Sequence, residues 1–462
     1  MQAKTIVKFI FSIIVSLALL SIIFPNEGIP FFGTKLKFPS IAEVIKTSED
    51  SIMTGEAPKD VIEKRKSDLD IAKENEFKSF CETNPARFFM PNNDVTYFDN
   101  LFKALDGAKN SHVRIMHYGD SQLECDRISC DLRTRFQNQF GGGGVGLIPV
   151  IQTIPTYTMG QSTYPKELSR GLVYGPSKNR ASHNRYGVMG QVTKVNSTAK
   201  INVEGREKKY PISAKFNRVK VYAKGGSFSV STESGTHALK KSATSLYIAD
   251  LPDTTNFATI TLRGGAEVYG VILENKTGVS LDNIPMRGCS GTIFTSIDSS
   301  SIAPFFENEN VKLIILQYGG NSVPYLDGDK GIANYKNNIK KQIELFKKLE
   351  PTASILFIGP ADMATRKNGV MSSYSNLPKV ISALREAANE SGVAFWDMYS
   401  AMGGRNSIIK WVKTGLAGSD HIHFTPKGAN EISEILYKTF NLYYKFYRFR
   451  SGLDDSALKT KK

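Results

Sequence analysis

Cysteine is scarce in this chain, with four among 462 residues, and none of the four lies in a CxxC or Cys/His spacing. That excludes the usual zinc ligand sets. Tryptophan numbers only two and histidine six, so any imidazole that falls inside a motif stands out. No zinc-finger, RRM or helix-turn-helix signature is present, and the lysines and arginines are scattered rather than massed. The formal net charge of +15 is therefore not a nucleic-acid footprint. A P-loop is excluded as well. The glycines Gly141–Gly144 lack the preceding strand and the following Lys-Ser/Thr, and read as a flexible exit from a helix. The basic balance fits an anionic membrane surface or an acidic polymer instead.

What is present begins with one long apolar run. Lys4 and Lys8 precede Phe9 to Phe24 (FIFSIIVSLALLSIIF), which Pro25 closes. Counted from Thr5, the stretch approaches the ~20 residues a spanning helix needs. Pro25, Asn26 and Glu27 stand where a signal peptidase would need small residues, so an uncleaved transmembrane helix is expected rather than a secretory signal. The two lysines place the N-terminus inside and the bulk of the chain outside. An exported location permits disulfides among Cys81, Cys125, Cys130 and Cys289, for which three full pairings exist. Free buried thiols are the other reading.

The remaining 437 or so residues divide by pattern, and a hydrophobic fraction of 41% leaves material for a sizeable core. Residues 1–25 are the anchor and 26–93 an extended linker with a charged stalk. From 94 to 149, a helix over 96–109 precedes the apolar strand Val113–Tyr118, and helical spacing follows over 123–139. Residues 150–285 change character, with short alternating runs such as RVKVY (218–222), FATITL (257–262) and VYGVIL (268–273). This predicts an inserted β-sandwich, jelly-roll-like. From 286 to 442, strands VKLIILQ, ASILFI and VAFW alternate with helices near 332–349, 376–391 and 426–440. The expected fold class is α/β, a doubly wound parallel sheet interrupted by the sandwich. The basic, aromatic tail 443–462 reads as a solvated end.

Four short motifs carry chemistry. Tyr118-Gly119-Asp120-Ser121-Gln122 lies where an apolar strand meets a helix, which exposes a serine at the sheet's C-terminal edge. Gly288-Cys289-Ser290-Gly291-Thr292 is a small-residue loop whose amide can approach a substrate oxygen. Gly319-Gly320-Asn321 places a carboxamide at the same edge. Asp420 and His423, three apart on a short loop, let the carboxylate hold one imidazole nitrogen while the other faces a serine. Taken singly, each is an ordinary turn or loop. Asp120 reads as a turn-fixing residue, His421 as a loop residue, and His112 and His117 as packing or surface residues. His183 and His237 read as surface residues of the insertion, and Trp396 as core; Trp411, like Trp396, could also stack on sugar.

Together, in the order Ser, Gly, Asn, Asp-x-x-His, the motifs resemble the SGNH (GDSL) hydrolase superfamily, with GDSQ in place of GDSL. The blocks GDSQLE, FGGGGVGLIP and RGCSG are similar to those of bacterial SGNH proteins with an N-terminal membrane segment. The resemblance covers 111–148 and 286–440, and the insertion and anchor look like those of peptidoglycan O-acetylesterases. It implies Ser121 as nucleophile, His423 as general base and Asp420 as the residue orienting it. The amides of Ser121 and Gly291 and the side chain of Asn321 would form the oxyanion hole, with Gly288 as the alternative to Gly291. No metal or cofactor is implied. Arg287 and Met286 stand where the family often has an asparagine-containing lead, which leaves the glycine assignment open.

The expected function is removal of O-acyl, above all O-acetyl, groups from an envelope polysaccharide such as peptidoglycan. The expected location is the bacterial inner membrane, single-pass, with the catalytic domain in the periplasm. Two other readings fit the same residues: transfer of an acetyl group from Ser121 to a sugar hydroxyl with a membrane acyltransferase as donor partner, and a non-catalytic glycan-binding envelope protein. No long apolar lid supports a lipase.

Overall fold

The computed structural model of the chain describes residues 29–31, 34–36 and 59–453. The run Phe9–Phe24, for which a membrane span is expected, lies outside them. Among the described residues no helix is long and apolar enough to cross a membrane. The chain divides into two units, Met1–Lys78 and Ser79–Lys462. In the first, Ile29–Phe31 pairs antiparallel with Thr34–Leu36, and the helix Lys59–Thr83 begins.

The second unit is built on a six-stranded sheet: β1 (Phe88–Phe89), β2 (His112–Gly119), β3 (Gly278–Pro285), β4 (Val311–Gln317), β5 (Ser354–Ile358) and β6 (Ala394–Trp396). Seven of the eight β2 residues are buried, as a strand covered on both faces requires. The order is β3-β2-β4-β5-β6-β1, parallel throughout except for β1. The parallel part of the sheet starts in β2, steps one way to β3, then returns past β2 to β4. That reversal opens a crevice at the C-terminal ends of β2 and β4, where open α/β sheets bind ligands. Register puts Gly119 opposite Gln317, so the loops after both strands start level.

Helices cover the sheet through i, i+3, i+4 stripes. On α1 (Ser129–Phe140) these are Leu132, Phe136 and Phe140; on α2 (Gly328–Leu349) they are Ile332, Tyr335, Ile339, Ile343 and Phe346. α3 spans Leu377–Glu390 and buries Val380, Ile381 and Leu384. Each such burial contributes roughly 1.5–3 kcal/mol. α4 runs Pro426–Arg450, opened by the Thr425 hydroxyl accepting from the Gly428 amide, with Pro426 where no N–H is needed. The tail expected to be solvated from 443 is corrected here. α4 continues to Arg450 with Tyr443 and Tyr447 buried, and Arg448 and Arg450 pair with Asp106 and Asp99 at 2.6 and 2.7 Å.

The insertion is two antiparallel sheets. One holds Phe216–Lys224, Leu246–Thr255 and Ala266–Glu274 among its seven strands; the other holds Thr198–Gly205, Ser227–Thr232 and Phe257–Arg263 among its five. Alternation decides where each side chain goes. Val219, Val221, Val271 and Leu273 meet Ile201, Ile260 and Leu262 between the two sheets. On the opposite face, Tyr222 and Ile272 join Met116, Ile284 and Phe305 of the α/β core. The middle strands of the seven-stranded sheet, Phe216–Lys224 and Ala266–Glu274, are thus buried on both faces.

Two boundaries move from where the sequence put them. Gly146–Ile148 pairs with Val271–Leu273 inside the insertion, and Gly278–Pro285 pairs parallel with β2 along its whole length. The inserted strands therefore run from 146 to 274, not 150 to 285. The glycines after α1 are also not a loose exit. A Cβ on Gly144, at φ +77°, would lie 2.1 Å from the Leu273 carbonyl oxygen, so glycine is required for a close crossing.

A buried ion cluster ties the two layers. Arg114 on β2 donates to both oxygens of Asp282 at 2.7 and 2.9 Å, to Glu309 at 3.1 Å, and to Glu274. Lys220 adds bonds of 2.9 Å to each Glu309 oxygen, and the Tyr222 hydroxyl donates to Glu309 at 2.9 Å. His112, Glu274 and Glu309 lie close enough to surround a cation, but guanidinium and ammonium already occupy these carboxylates. All four cysteines are free, so the disulfide reading gives way to unpaired thiols.

Candidate active site

The helix expected at 123 begins later, and the delay shapes the site. After β2 the chain makes a 3-10 turn over Ser121–Asp126 in which Glu124 is extended and Cys125 left-handed, and α1 starts only at Ser129. Asp120 opens the turn by accepting from the Gln122 amide at 2.9 Å. Ser121 is left half-buried at the crevice.

Three hundred residues later, the loop before α4 delivers an imidazole. His423 Nε2 lies 2.8 Å from Ser121 Oγ, and His423 Nδ1 lies 2.7 Å from Asp420 Oδ2. An ionised carboxylate only accepts, so Nδ1 carries the proton and Nε2 is the bare acceptor facing the serine hydroxyl. Asp420 stays ionised. Burial opposes its charge, but bonds from the His423 ring, the His423 amide and the Ile422 amide outweigh it and hold the carboxyl below its ordinary range.

Asn321, just past β4, points its Nδ2 to Asp120 Oδ2 at 3.0 Å and to the Cys289 carbonyl at 3.2 Å. It lines a cavity of about 230 Å³ together with Ser121, His423, Tyr325, Met363 and Ile422. Burial pushes the Asp120 carboxyl up to about 6, against the Gln122 amide, His423 and Asn321, which favour its charge. A larger cavity of about 440 Å³ lies beside Glu124 and Arg287, between the insertion and β3.

Ser121, Asn321, Asp420 and His423 converge as expected; Gly291 does not join them. Its N–H donates to Cys289 Sγ at 3.3 Å, and it does not line the cavity. Gly291 is needed for another reason: at φ +79°, a Cβ would sit 2.6 Å from the Tyr318 ring. The alternative, Gly288, is exposed and lines neither cavity. His421 turns away, its Nδ1 on the Ser419 carbonyl at 2.9 Å. His117 is buried between Ser129 and Gln317, and burial pushes its imidazole down to about 4. His112 meets Ser280 at 2.9 Å and His183 meets Glu267 at 3.0 Å, while His237 lies on the strand Gly235–Ala238. Trp396 is core, donating to the Ala86 carbonyl at 2.9 Å, and Trp411 packs on Phe424.

Two site residues escaped the sequence reading. Tyr325, 83% exposed, stands at the cavity mouth in the turn after Asn321. Gln122 bonds the backbone on both sides of His423. The only sequence signal for Gln122 was its place beside the serine.

Residues 254–430 match the model of the GDSL-like lipase/acylhydrolase family; the match includes Asn321, Asp420 and His423 and begins downstream of Ser121. No curated protein sequence matches the chain. Among solved structures, a peptidoglycan O-acetylesterase superposes with a TM-score of 0.64 at 20% identity, covering 78% of this chain and 99% of that one. An acetylxylan esterase from Geobacillus stearothermophilus gives 0.27 at 13% identity over 36% of this chain and 73% of its own. The first likeness extends over both the parallel sheet and the insertion.

Proposed function

We propose that the chain is an SGNH-type, GDSL-like esterase, with Ser121 as its nucleophile and an O-acetylated envelope polysaccharide as its substrate. The observation that carries the first part is the Ser121–His423–Asp420 relay, with successive contacts of 2.8 and 2.7 Å. Ser121 Oγ attacks the acyl carbonyl as its proton passes to His423 Nε2, and the imidazolium is held by Asp420. The tetrahedral intermediate collapses, the C–O bond to the sugar breaks, and the imidazolium returns the proton to the leaving hydroxyl. Water then attacks the acyl-serine by the same route, releasing the carboxylic acid and the free enzyme.

Asn321 is the side-chain donor proposed for the developing oxyanion, moving from the Cys289 carbonyl to the substrate oxygen. The amide of Ser121 is the backbone donor of the same reading, and Gly291 would join only by giving up its sulfur contact.

Several observations support the polysaccharide. The fold likeness to a peptidoglycan O-acetylesterase covers most of the chain. A cavity of about 230 Å³ suits a short acyl group. The exposed ring of Tyr325 offers a flat face to a sugar at the mouth, and the net charge of +15 suits a polyanionic neighbourhood. With the apolar run Phe9–Phe24 as a single-pass anchor, the site would work in the periplasm, against the inner membrane.

The test is acetate release from O-acetylated peptidoglycan by the full chain in detergent, beside Ser121→Ala. Serine-dependent release establishes the esterase. Acetyl transfer to a sugar acceptor without net release, given an acyl donor, would make the chain a transferase. Neither activity, with intact folding, would favour a glycan-binding role.

A further inference from the structure

The proposed base stands on an exposed loop whose own bonds, from the Ile422 and His423 amides to Asp420 Oδ1 and from the Gly418 amide to the His423 carbonyl, do not tie it to the turn that carries the serine. Asp420 and His423 side chains are 49% and 35% exposed, and His421 between them is left-handed at φ +57°. Exposed irregular loops are the mobile parts of a fold. Yet a base displaced by about 1 Å loses on the order of 10²-fold in rate. Something must register this loop on the serine.

We propose that Gln122 is the positioning residue that does so, on the reading that Ser121 and His423 form the nucleophile and base. Its Nε2 donates to the Ile422 carbonyl at 2.6 Å, and its Oε1 accepts from the Phe424 amide at 3.3 Å. The two partners flank His423, so one planar carboxamide grips the loop on both sides of the imidazole. The grip starts from a fixed point. Gln122 is 8% exposed, adjoins Ser121, and has its own N–H bonded to Asp120 Oδ1 at 2.9 Å. The serine and the histidine are thereby each one residue from the same clamp.

The chemistry selects glutamine. The clamp needs a donor and an acceptor side by side on a side chain of this length. Leucine has neither, and asparagine is one methylene short. Ionised glutamate can accept from Phe424 but repels the Ile422 carbonyl. The amide orientation is fixed by its partners, since the reverse would set oxygen against oxygen and N–H against N–H. Protonated glutamic acid, with one O–H and one C=O, restores both bonds. That gives a pH-dependent rescue that a space-filling role would not show.

The experiment uses the full chain in detergent, comparing wild type, Gln122→Leu, Gln122→Glu and Ser121→Ala. Three quantities are read: kcat and KM on p-nitrophenyl acetate, the rate of serine labelling by a fluorophosphonate, and hydrogen exchange over residues 420–426. Gln122→Leu is expected to lower kcat and labelling about a hundredfold with KM little changed. It should also speed exchange at the Phe424 amide. Gln122→Glu should track Gln122→Leu at pH 8 and approach wild type as pH falls toward 5. Wild-type-like kcat and exchange in Gln122→Leu would overturn the proposal, as would a Glu-to-Leu activity ratio that is flat with pH. If Gln122→Leu fails to fold, that ratio is replaced by the Glu-to-wild-type ratio, which must rise as pH falls. If wild type and Ser121→Ala label alike, the nucleophile reading fails instead, and exchange at Phe424 still decides whether Gln122 holds the loop.

Discussion

Asn321 leans on Asp120: its Nδ2 donates to the Asp120 carboxylate at 3.0 Å, linking the carboxamide after one strand to the residue that precedes Ser121 on the next. That bond holds the carboxamide in place, so only its second N–H has to turn from the Cys289 carbonyl to meet a developing oxyanion. Asn321→Ala is expected to lower kcat about 10²–10³-fold on p-nitrophenyl acetate, with KM changed far less. An effect confined to KM would mean that Asn321 binds substrate without stabilising the oxyanion.

Asp420→Asn keeps the shape of the loop but removes the carboxylate that fixes the imidazole proton on Nδ1. The carboxamide can donate to Nδ1 and so stabilise the wrong tautomer. A loss in kcat on the order of 10⁴ is expected, from comparison with other serine relays. Steady-state kinetics check it, and a loss under tenfold would place the orienting role elsewhere.

Two buried groups near the site oppose each other in pH. Burial raises Asp120 to about 6 from 3.8, so its ionisation costs the fold stability as pH rises between those values. Burial lowers His117 to about 4 from 6.5, so the unfolded chain gains protons first and stability is lost as pH falls through that window. The slopes partly cancel in wild type. In Asp120→Asn only the histidine slope remains, so the unfolding midpoint of the variant should gain on wild type between pH 4 and 6. The full gain is on the order of 2–3 kcal/mol. The swap of amide for acid adds an offset that does not vary with pH, so the slope is the quantity to measure. A constant difference would show that Asp120 does not titrate there.

Tyr325→Ala separates the sugar from the ester. Loss of one stacked face should raise KM for an O-acetylated glycan about fivefold, in line with ~1 kcal/mol for an aromatic contact. Hydrolysis of p-nitrophenyl acetate should not change. Equal effects on both substrates would make Tyr325 part of the acyl pocket.

The relay residues were readable in the sequence because each sits in a short motif beside a strand end or helix start, where local pattern and chemistry coincide. Ser121 follows an apolar strand, and Asp420 and His423 share one loop. That the Gly291 amide turns to a neighbouring sulfur is a detail of loop conformation that spacing does not encode. The strand Gly278–Pro285 was assigned to the insertion because it directly continues that β-rich stretch; only its partner, the parallel β2, shows where it belongs. Gln122 was invisible for a similar reason, since its partners are backbone atoms of Ile422 and Phe424, which any residues would supply. The late start of the helix after Ser121 rests on the left-handed Cys125, a conformation that cysteine does not advertise.

The seven-stranded sheet has a consequence for how such a gene can change. One face of it completes the core of its own insertion and the other completes the core of the α/β host. Excising residues 146–274 would strip Tyr222 and Ile272 from the host and leave Arg114 facing Asp282 and Glu309 without Lys220 or Glu274. Neither piece could be traded with another gene as a finished part. Arg114 of the host and Lys220 of the insertion share Glu274 and Glu309, so loss of either cation should be tolerated only when a carboxylate goes with it, and a recombinant that breaks the chain near 146 or 274 should arrive already unfolded.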